Sequence, residues 1–187
     1  MKKALMFIAL SLILNSSFSQ TFDGVTIDGD LSTAIAKYKL KGYLVEKYFD
    51  GGVILNGEVL GAKIELYIFT TIKTKKVFKA VVYLPRRQSW FTLKNEYEKY
   101  FVTFTDKYGM EDSKYEFFTS PYFEGDGYEL QALKLEKATF AGYWFNKNNT
   151  TIALEISEYQ QVKITYENDR NQVIAKREID AVKNSTF

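Results

Sequence analysis

The spacing of hydrophobic residues first predicts a helix near residue 30. The apolar residues that share one helical face, at positions i, i+3, i+4 and i+7, are Leu31, Ala34, Ile35 and Tyr38. Asp30 stands before them as an expected N-cap, because its carboxylate can accept from free first-turn N–H groups. Gly42 is the expected end of the helix, since glycine tolerates a left-handed conformation.

From residue 43 to residue 84 the period changes to two, which is typical of strands with one buried face. The predicted strands are 44–49, 53–61, 63–69 and 77–84. Gly51-Gly52, Gly61-Ala62 and the segment 70–76 separate them as turns. Because these strands are close in sequence, we expect antiparallel pairing.

A boundary at residues 85–88 precedes a second, longer helix that Ser89 is expected to cap. Its continuous apolar stripe consists of Trp90, Leu93, Tyr97, Phe101, Phe104 and Tyr108. Gly109 is its expected end. The second group of predicted strands is 114–118, 128–137, 139–146, 150–157 and 161–168. The tail from Gln172 reads as one short alternating stretch with a polar end.

The two halves share one layout, a capped helix, a closing glycine and a run of strands. Residues 64–68 also resemble residues 152–156 in sequence. We therefore predict an α+β fold of two tandem αββββ units, with helices on one face of a mostly antiparallel sheet of about eight strands. Residues 20–187 form the single domain, with unit one at about 20–85 and unit two at about 86–180.

The first 19 residues have the pattern of a secretory signal peptide. Lys2 and Lys3 precede an apolar run at 4–14, and small polar residues lead to Ser19. The run is too short to cross a membrane, which takes about 20 residues. We expect cleavage after Ser19, an exported periplasmic or extracellular protein, and no transmembrane segment in the mature chain.

Removing this segment changes the charge. The whole chain has 25 basic and 23 acidic residues, and loss of Lys2 and Lys3 leaves 23 of each. There is no His and no Cys, so imidazole bases, Ser-His-Asp triads, thiolate nucleophiles and thiolate zinc sites are excluded. We expect no enzyme, no cofactor, no metal and no catalytic residue.

Aromatic residues make up 17% of the chain, and one acidic segment between Glu111 and Glu129 is especially rich in them. Exposed rings there would form the kind of anchor found at binding hot spots. The candidate binding residues are Tyr115, Tyr122, Phe123, Glu124, Asp126 and Tyr128. The alternative is that these rings pack in the core or within the loop.

Other chemistry has weaker support. Glu124 and Asp126 could offer oxygens to Ca²⁺, but the spacing lacks the ligand series of a calcium loop. The basic stretch at 73–87 suggests a solvated edge rather than nucleic-acid binding, since the mature chain is neutral. Trp90 and Trp144 could bind a sugar or pack in the core. A catalytic carboxylate pair has no recognisable context.

Two resemblances add to this picture. The duplicated helix-plus-four-strand layout resembles the β-lactamase inhibitory protein, whose architecture implies a concave sheet face for a protein partner, although this chain lacks the cysteines found there. The chain also resembles a group of small secreted proteins of Bacteroidota to which no function attaches. The segments that carry this second resemblance are 23–29, 40–43, Trp90 with Leu93, 107–109 and 121–130.

The resulting hypothesis is an exported, non-enzymatic binding module that engages a protein or peptide through a sheet face or edge loops. A small-ligand or glycan binder and an envelope scaffold component are the alternatives. The partner's identity and the oligomeric state stay open at this point.

Overall fold

The computed structural model describes residues 20–185. The predicted signal peptide, residues 1–19, lies outside the described residues. The elements in chain order are β1 (Thr21–Phe22), β2 (Val25–Thr26), α1 (Leu31–Leu40), β3 (Leu44–Phe49), β4 (Gly52–Val59), β5 (Ala62–Thr70), β6 (Val77–Tyr83), α2 (Trp90–Tyr108), β7 (Ser113–Phe118), α3 (Glu129–Lys134), β8 (Ala138–Trp144), β9 (Thr150–Ile156), β10 (Val162–Asn168) and α4 (Asp169–Ser185).

The fold is α+β, with eight of the strands in one antiparallel sheet, as predicted. Their order is β3-β4-β5-β6-β10-β9-β8-β7, so each half of the chain contributes four strands in sequence order. The last strands of the two halves pair at the centre, where Val81 lies opposite Thr165. β1 and β2 form a separate two-stranded sheet.

One hydrophobic cluster fills the space between α1, α2 and one face of the sheet. It includes Ile35 and Tyr38 of α1 and Leu93 and Tyr97 of α2, and alternate residues of the central strands meet them. The predicted stripes on both helices are confirmed as the packing faces. Burial of such aromatic and aliphatic side chains contributes about 1.5–3 kcal/mol each.

Close packing at two glycines brings aromatic rings onto the sheet. A side chain at Gly57 of β4 would clash with the ring of Tyr43, and one at Gly142 of β8 would clash with the ring of Phe101. Each glycine lies in the second strand of its half of the sheet. The rings therefore rest directly on the backbone of both halves.

The predicted helix ends agree with the structure with one exception. Ser89 Oγ accepts from Thr92 N at 3.3 Å, and Gly42 and Gly109 follow their helices with φ of +90° and +84°. Asp30 is the N-cap residue, but its carboxylate makes no capping hydrogen bond. It accepts from Lys76 Nζ at 2.9 Å instead, so an ion pair to the β5–β6 connection replaces the cap.

The prediction of a strand at 128–137 is wrong, because Glu129–Lys134 forms the helix α3. Its residues are good helix formers, and burial of Ala132 and Leu133 fixes it against β8. The short run is too brief for its period to separate a helix from a strand.

The tail prediction is also wrong, because Asp169–Ser185 is the helix α4 and brings the described helices to four. Polar groups anchor it. Asn171 Nδ2 donates to Val77 O at 2.7 Å, and Glu178 accepts from the backbone N–H groups of Lys73 and Thr74 at 2.5 and 3.2 Å. These hydrogen bonds also lower the pKa of Glu178, first through Lys73 N–H.

Candidate functional site

The connection between β7 and α3 is a folded loop, held by its own carboxylates. Asp126 accepts from the backbone N–H groups of Phe123 and Tyr128 at 3.0 and 2.7 Å. The buried carboxylate of Glu129 accepts from Gly125 N at 2.8 Å. Since short polar side chains that accept from nearby backbone N–H groups stabilise turns, these acids shape the loop.

Glu124 ties the same loop to α2. It accepts from Lys94 Nζ, and from Trp90 Nε1 at 3.4 Å. The hydrogen bond from Lys94 is the main reason that the pKa of Glu124 lies below its usual value, with Trp90 adding to it. Of the two acids proposed from sequence, both therefore have partners inside the protein.

The rings of this loop differ in exposure. Phe123 and Tyr128 are 63% and 60% exposed, whereas Tyr122 is half-buried and its hydroxyl accepts from Gln131 Nε2 at 3.2 Å. Tyr115 is not part of the loop. It lies on β7 opposite Ala141, with its ring 6.1 Å from that of Tyr143. The structure thus brings five of the six proposed residues together and puts Tyr115 on the sheet.

The face of the sheet opposite α1 and α2 carries four tyrosines, and we call it the tyrosine face. They are Tyr67 on β5, Tyr83 on β6, Tyr143 on β8 and Tyr115 on β7, and all four remain partly exposed. The rings of Tyr67 and Tyr83 pack edge to face at 5.4 Å, and Tyr143 stacks on Phe145 at 6.2 Å. Such rings present an apolar body and a polar tip to a partner.

Small side chains form the floor between these tyrosines. One cross-strand row runs from Tyr67 to Tyr143, and its three inner members are Val81, Thr165 and Ala153. Neighbouring strands lie about 4.8 Å apart, so the two tyrosines stand about 19 Å from each other across five strands. The three inner members are buried, so the exposed part of this row consists of its two end rings.

The next cross-strand row contains two charged residues of opposite sign. It contains Tyr83, Lys163, Glu155 and Ala141 in order, and Lys163 Nζ pairs with Glu155 at 2.8 Å. Desolvation is the first cause that raises the pKa of Tyr83 and of Tyr143. Their hydroxyls consequently stay protonated near neutral pH and can both donate and accept hydrogen bonds.

Sequence reasoning did not single out Tyr67, Tyr83 or Tyr143. Each follows the period-two pattern, so the signal was present: Tyr67 lies between Leu66 and Ile68, which point to the opposite face. The pattern did not show which face of the sheet the helices cover. Both faces of these strands carry large apolar or aromatic side chains, so either face fitted a buried core.

The two tryptophans and two residues of the basic stretch, which were candidates from sequence, make contacts within the protein. Trp144 is fully buried, and its Nε1 donates to Gly109 O at 2.9 Å, while Trp90 packs against Phe118 and Phe140. In the basic stretch, Lys79 pairs with Glu167 and Arg87 pairs with Glu96. Among residues 20–185 there is no group of three or more acidic side chains arranged to hold a metal ion.

In comparisons with known proteins, no family model, no curated protein and no solved structure matches the chain. Within residues 20–185, no helix has the length and hydrophobicity needed to cross a membrane.

Proposed function

We propose that this protein is an exported, non-enzymatic binding module that engages a protein or peptide through the tyrosine face. The observation that carries the proposal is the row in which Tyr67 and Tyr143 flank Val81, Thr165 and Ala153. Tyrosine is enriched at binding hot spots because it supplies a large contact area with few rotatable bonds. The three residues between the rings are buried, so the contacts available to a partner in this row are the two rings.

The loop between β7 and α3 extends this proposal to the edge of the sheet. Phe123 and Tyr128 are exposed large rings on a backbone that Asp126 holds in place. A ring on a pre-ordered loop loses little conformational entropy on binding. Of the loop residues proposed from sequence, these two are the contacts we expect, while Glu124, Asp126 and Tyr122 support the loop's shape.

The duplication inferred from sequence belongs to the same proposal. Each half has a helix and four strands in sequence order, although α3 interrupts the second half between β7 and β8, and each half rests an aromatic ring on a glycine of its second strand. These features favour two related units and support the resemblance to the β-lactamase inhibitory protein layout. In that layout the sheet face away from the helices is free for a protein partner, and on this sheet the tyrosine face lies opposite α1 and α2.

Export and the lack of catalysis rest on the sequence. The n-, h- and c-region pattern of residues 1–19 supports export. The absence of His and Cys removes the commonest bases and nucleophiles. The acids of the candidate loop and of the tyrosine face are engaged in hydrogen bonds or ion pairs, which favours a structural role for them.

A groove beside α1 favours the small-ligand alternative. It has a volume of about 650 Å³ and is lined by Leu31, Ile35 and Tyr48 together with two bases, Lys39 and Lys75, and one acid, Asp30. Ligand sites commonly have volumes of about 300–1,000 Å³ and mostly apolar walls. An amphipathic anion is the chemistry that this lining would suit.

Site-specific photo-crosslinking tests the main proposal. A photoreactive phenylalanine analogue replaces Tyr67, Tyr143 or Tyr128 in separate variants, and Phe91 in the control. Phe91 is 72% exposed on α2, away from the tyrosine face. Each tagged variant is irradiated in its own envelope fraction and culture medium, and the adducts are identified by mass spectrometry.

We expect the same protein adduct from the positions on the tyrosine face, with a weaker adduct from Tyr128 and none from Phe91. Equal yields at Phe91, or no adduct at Tyr67 and Tyr143, would refute the tyrosine face as the binding surface. Melting curves from circular dichroism confirm beforehand that each variant is folded.

A further inference from the structure

The two edge strands of the eight-stranded sheet differ in how well they are protected against pairing. In β3 the register with β4 shifts between Val45 and Lys47, which leaves Glu46 in a bulge. Bulges on edge strands block pairing with another strand. In β7 all six residues, from Ser113 to Phe118, keep an unbroken register with β8. The β7 edge therefore offers a regular template.

The backbone groups available on that edge follow from the ladder. Thr119 N donates to Lys137 O at 2.7 Å, directly beyond the pair of Phe118 and Ala138. Since inward and outward groups alternate in an antiparallel ladder, the N–H and C=O groups of Lys114, Glu116 and Phe118 point away from β8. The side chains of residues 114–117 are exposed, so nothing large covers this edge.

The side-chain sequence of β7 is complementary to itself in one antiparallel register. If Tyr115 lies opposite Tyr115 of a second copy, each Lys114 lies opposite the other copy's Glu116. Lys114 and Glu116 are both outward-pointing, so their backbones can exchange hydrogen bonds across the edge. Within one chain Lys114 Nζ already lies 3.0 Å from Glu116 Oε1, and the pairing would extend this into an alternating four-charge cluster.

Neighbouring registers do not offer this match. A shift that centres the pairing on Glu116 sets the two Glu116 carboxylates against each other, and one centred on Lys114 sets the two ammonium groups together. Like charges directly opposite each other destabilise a strand pair. Charge therefore selects the register centred on Tyr115.

We propose that the protein forms a two-fold symmetric homodimer in which the β7 edges of two copies pair antiparallel about Tyr115. The two eight-stranded sheets become one continuous sheet of sixteen strands. Tyr115 belongs to the tyrosine face, so the tyrosine faces of both copies join on one side of that sheet. This inference does not depend on what the tyrosine face binds.

Cysteine cross-linking tests the register directly, because the chain contains no Cys of its own. The variant Tyr115→Cys brings two sulfurs together at the symmetry axis, where opposed Cα atoms lie about 4.5 Å apart, within disulfide range. In the variant Phe117→Cys, the same register places the cysteines of the two copies about four residues apart along the strand direction. This separates their sulfurs by roughly 13 Å. Tyr48→Cys on β3 is the control for the other edge.

Under mild oxidation of the purified protein, we expect Tyr115→Cys to convert mostly to a disulfide-linked dimer, and Phe117→Cys and Tyr48→Cys to convert at least five-fold more slowly. Equal conversion of all three variants, or a Tyr115→Cys protein that stays monomeric, overturns the proposal.

Charge reversal supplies an independent test by light scattering coupled to size-exclusion chromatography. Lys114→Glu alone puts acids opposite acids, and Glu116→Lys alone puts bases opposite bases, so each variant is expected to be monomeric where the unchanged protein is dimeric. An equal mixture of the two variants restores both opposite-charge pairs and is expected to recover the dimer mass. Glu46→Lys on β3 should leave the dimer intact.

The proposal fails if the unchanged protein is monomeric up to about 100 μM. It fails equally if either single reversal keeps the dimer mass, or if the mixture does not regain it.

Discussion

Two neighbouring residues of β8 show how differently the two faces of the sheet are used. Trp144 is fully buried under α2, with its ring 5.3 Å from that of Phe101 and 5.6 Å from that of Phe104. Tyr143 points to the tyrosine face, where it contacts Tyr115 and Phe145 and stays half-exposed. The high aromatic content thus serves two purposes, core packing on one face and an accessible surface on the other.

The comparison shows that the type of side chain alone does not distinguish a ring that packs in the core from a ring that stays partly exposed. On the helix-covered face the rings fill space between layers and leave little room for change. On the tyrosine face the rings pack in pairs between neighbouring strands, Tyr67 with Tyr83 and Tyr115 with Tyr143, and stay partly exposed. A partner that covers them would bury apolar area that folding alone leaves in contact with water.

The largest expected effect on stability comes from a substitution on the sheet face that α1 and α2 cover. Trp144→Ala removes the ring beneath α2 and leaves a cavity, so we expect a loss of about 3–5 kcal/mol in the free energy of unfolding. Tyr143→Ala removes a half-exposed ring and its aromatic contacts, with an expected loss of about 1 kcal/mol. Urea unfolding followed by circular dichroism measures both. Similar losses for the two variants would contradict the division between the faces.

Alkaline pH should lower the stability of the protein through the tyrosines that are buried in the core. Burial is the first cause that raises the pKa of Tyr38 and of Tyr97 well above the ordinary value near 10. Above that pH the unfolded chain releases these protons and the folded chain keeps them, so stability is complete below about pH 10 and falls as pH rises further. Each retained proton costs about 1.4 kcal/mol per pH unit.

Urea midpoints at pH 7, 9, 10.5 and 11.5 check this expectation. The matched variant is Tyr38→Phe, which removes one buried hydroxyl that donates to Phe22 O at 3.3 Å. Its stability should fall less steeply above pH 10 than that of the unchanged protein. An identical slope in both proteins would show that Tyr38 ionises as freely when folded as when unfolded.

Much of the fold followed from sequence because two signals were long and regular. The stripe from Trp90 to Tyr108 spans five turns of α2, and the period-two runs of β4, β5 and β6 are separated by glycine or polar turns. The helix α4 escaped the same reasoning because its inward residues Asn171, Ala175 and Glu178 are mostly polar. Hydrogen bonds to the β5–β6 connection hold α4 in place. Such polar contacts leave no periodic pattern of hydrophobic residues in the sequence.

The candidate site was predicted less completely than the fold, because part of it depends on which strands pair with each other. The loop with Phe123 and Tyr128 was visible as a local cluster of rings. Apart from Tyr115, the tyrosine face was not, because its members come from both halves of the chain and share one face only through the order in which the strands pair. Period two places Tyr67 and Leu66 on opposite faces without saying which of them the helices cover.

Hydroxyl-radical footprinting tests the central claim, that the tyrosine face is the surface left for a partner, most directly. Labelling rates at Tyr67, Tyr83 and Tyr143 are compared, by mass spectrometry, between the purified protein and the protein in its native envelope fraction. Exposed Phe91 on α2 is the reference. We predict several-fold protection of the three tyrosines in the envelope fraction with an unchanged rate at Phe91. Unchanged rates at all three tyrosines, or equal protection of Phe91, would contradict the account.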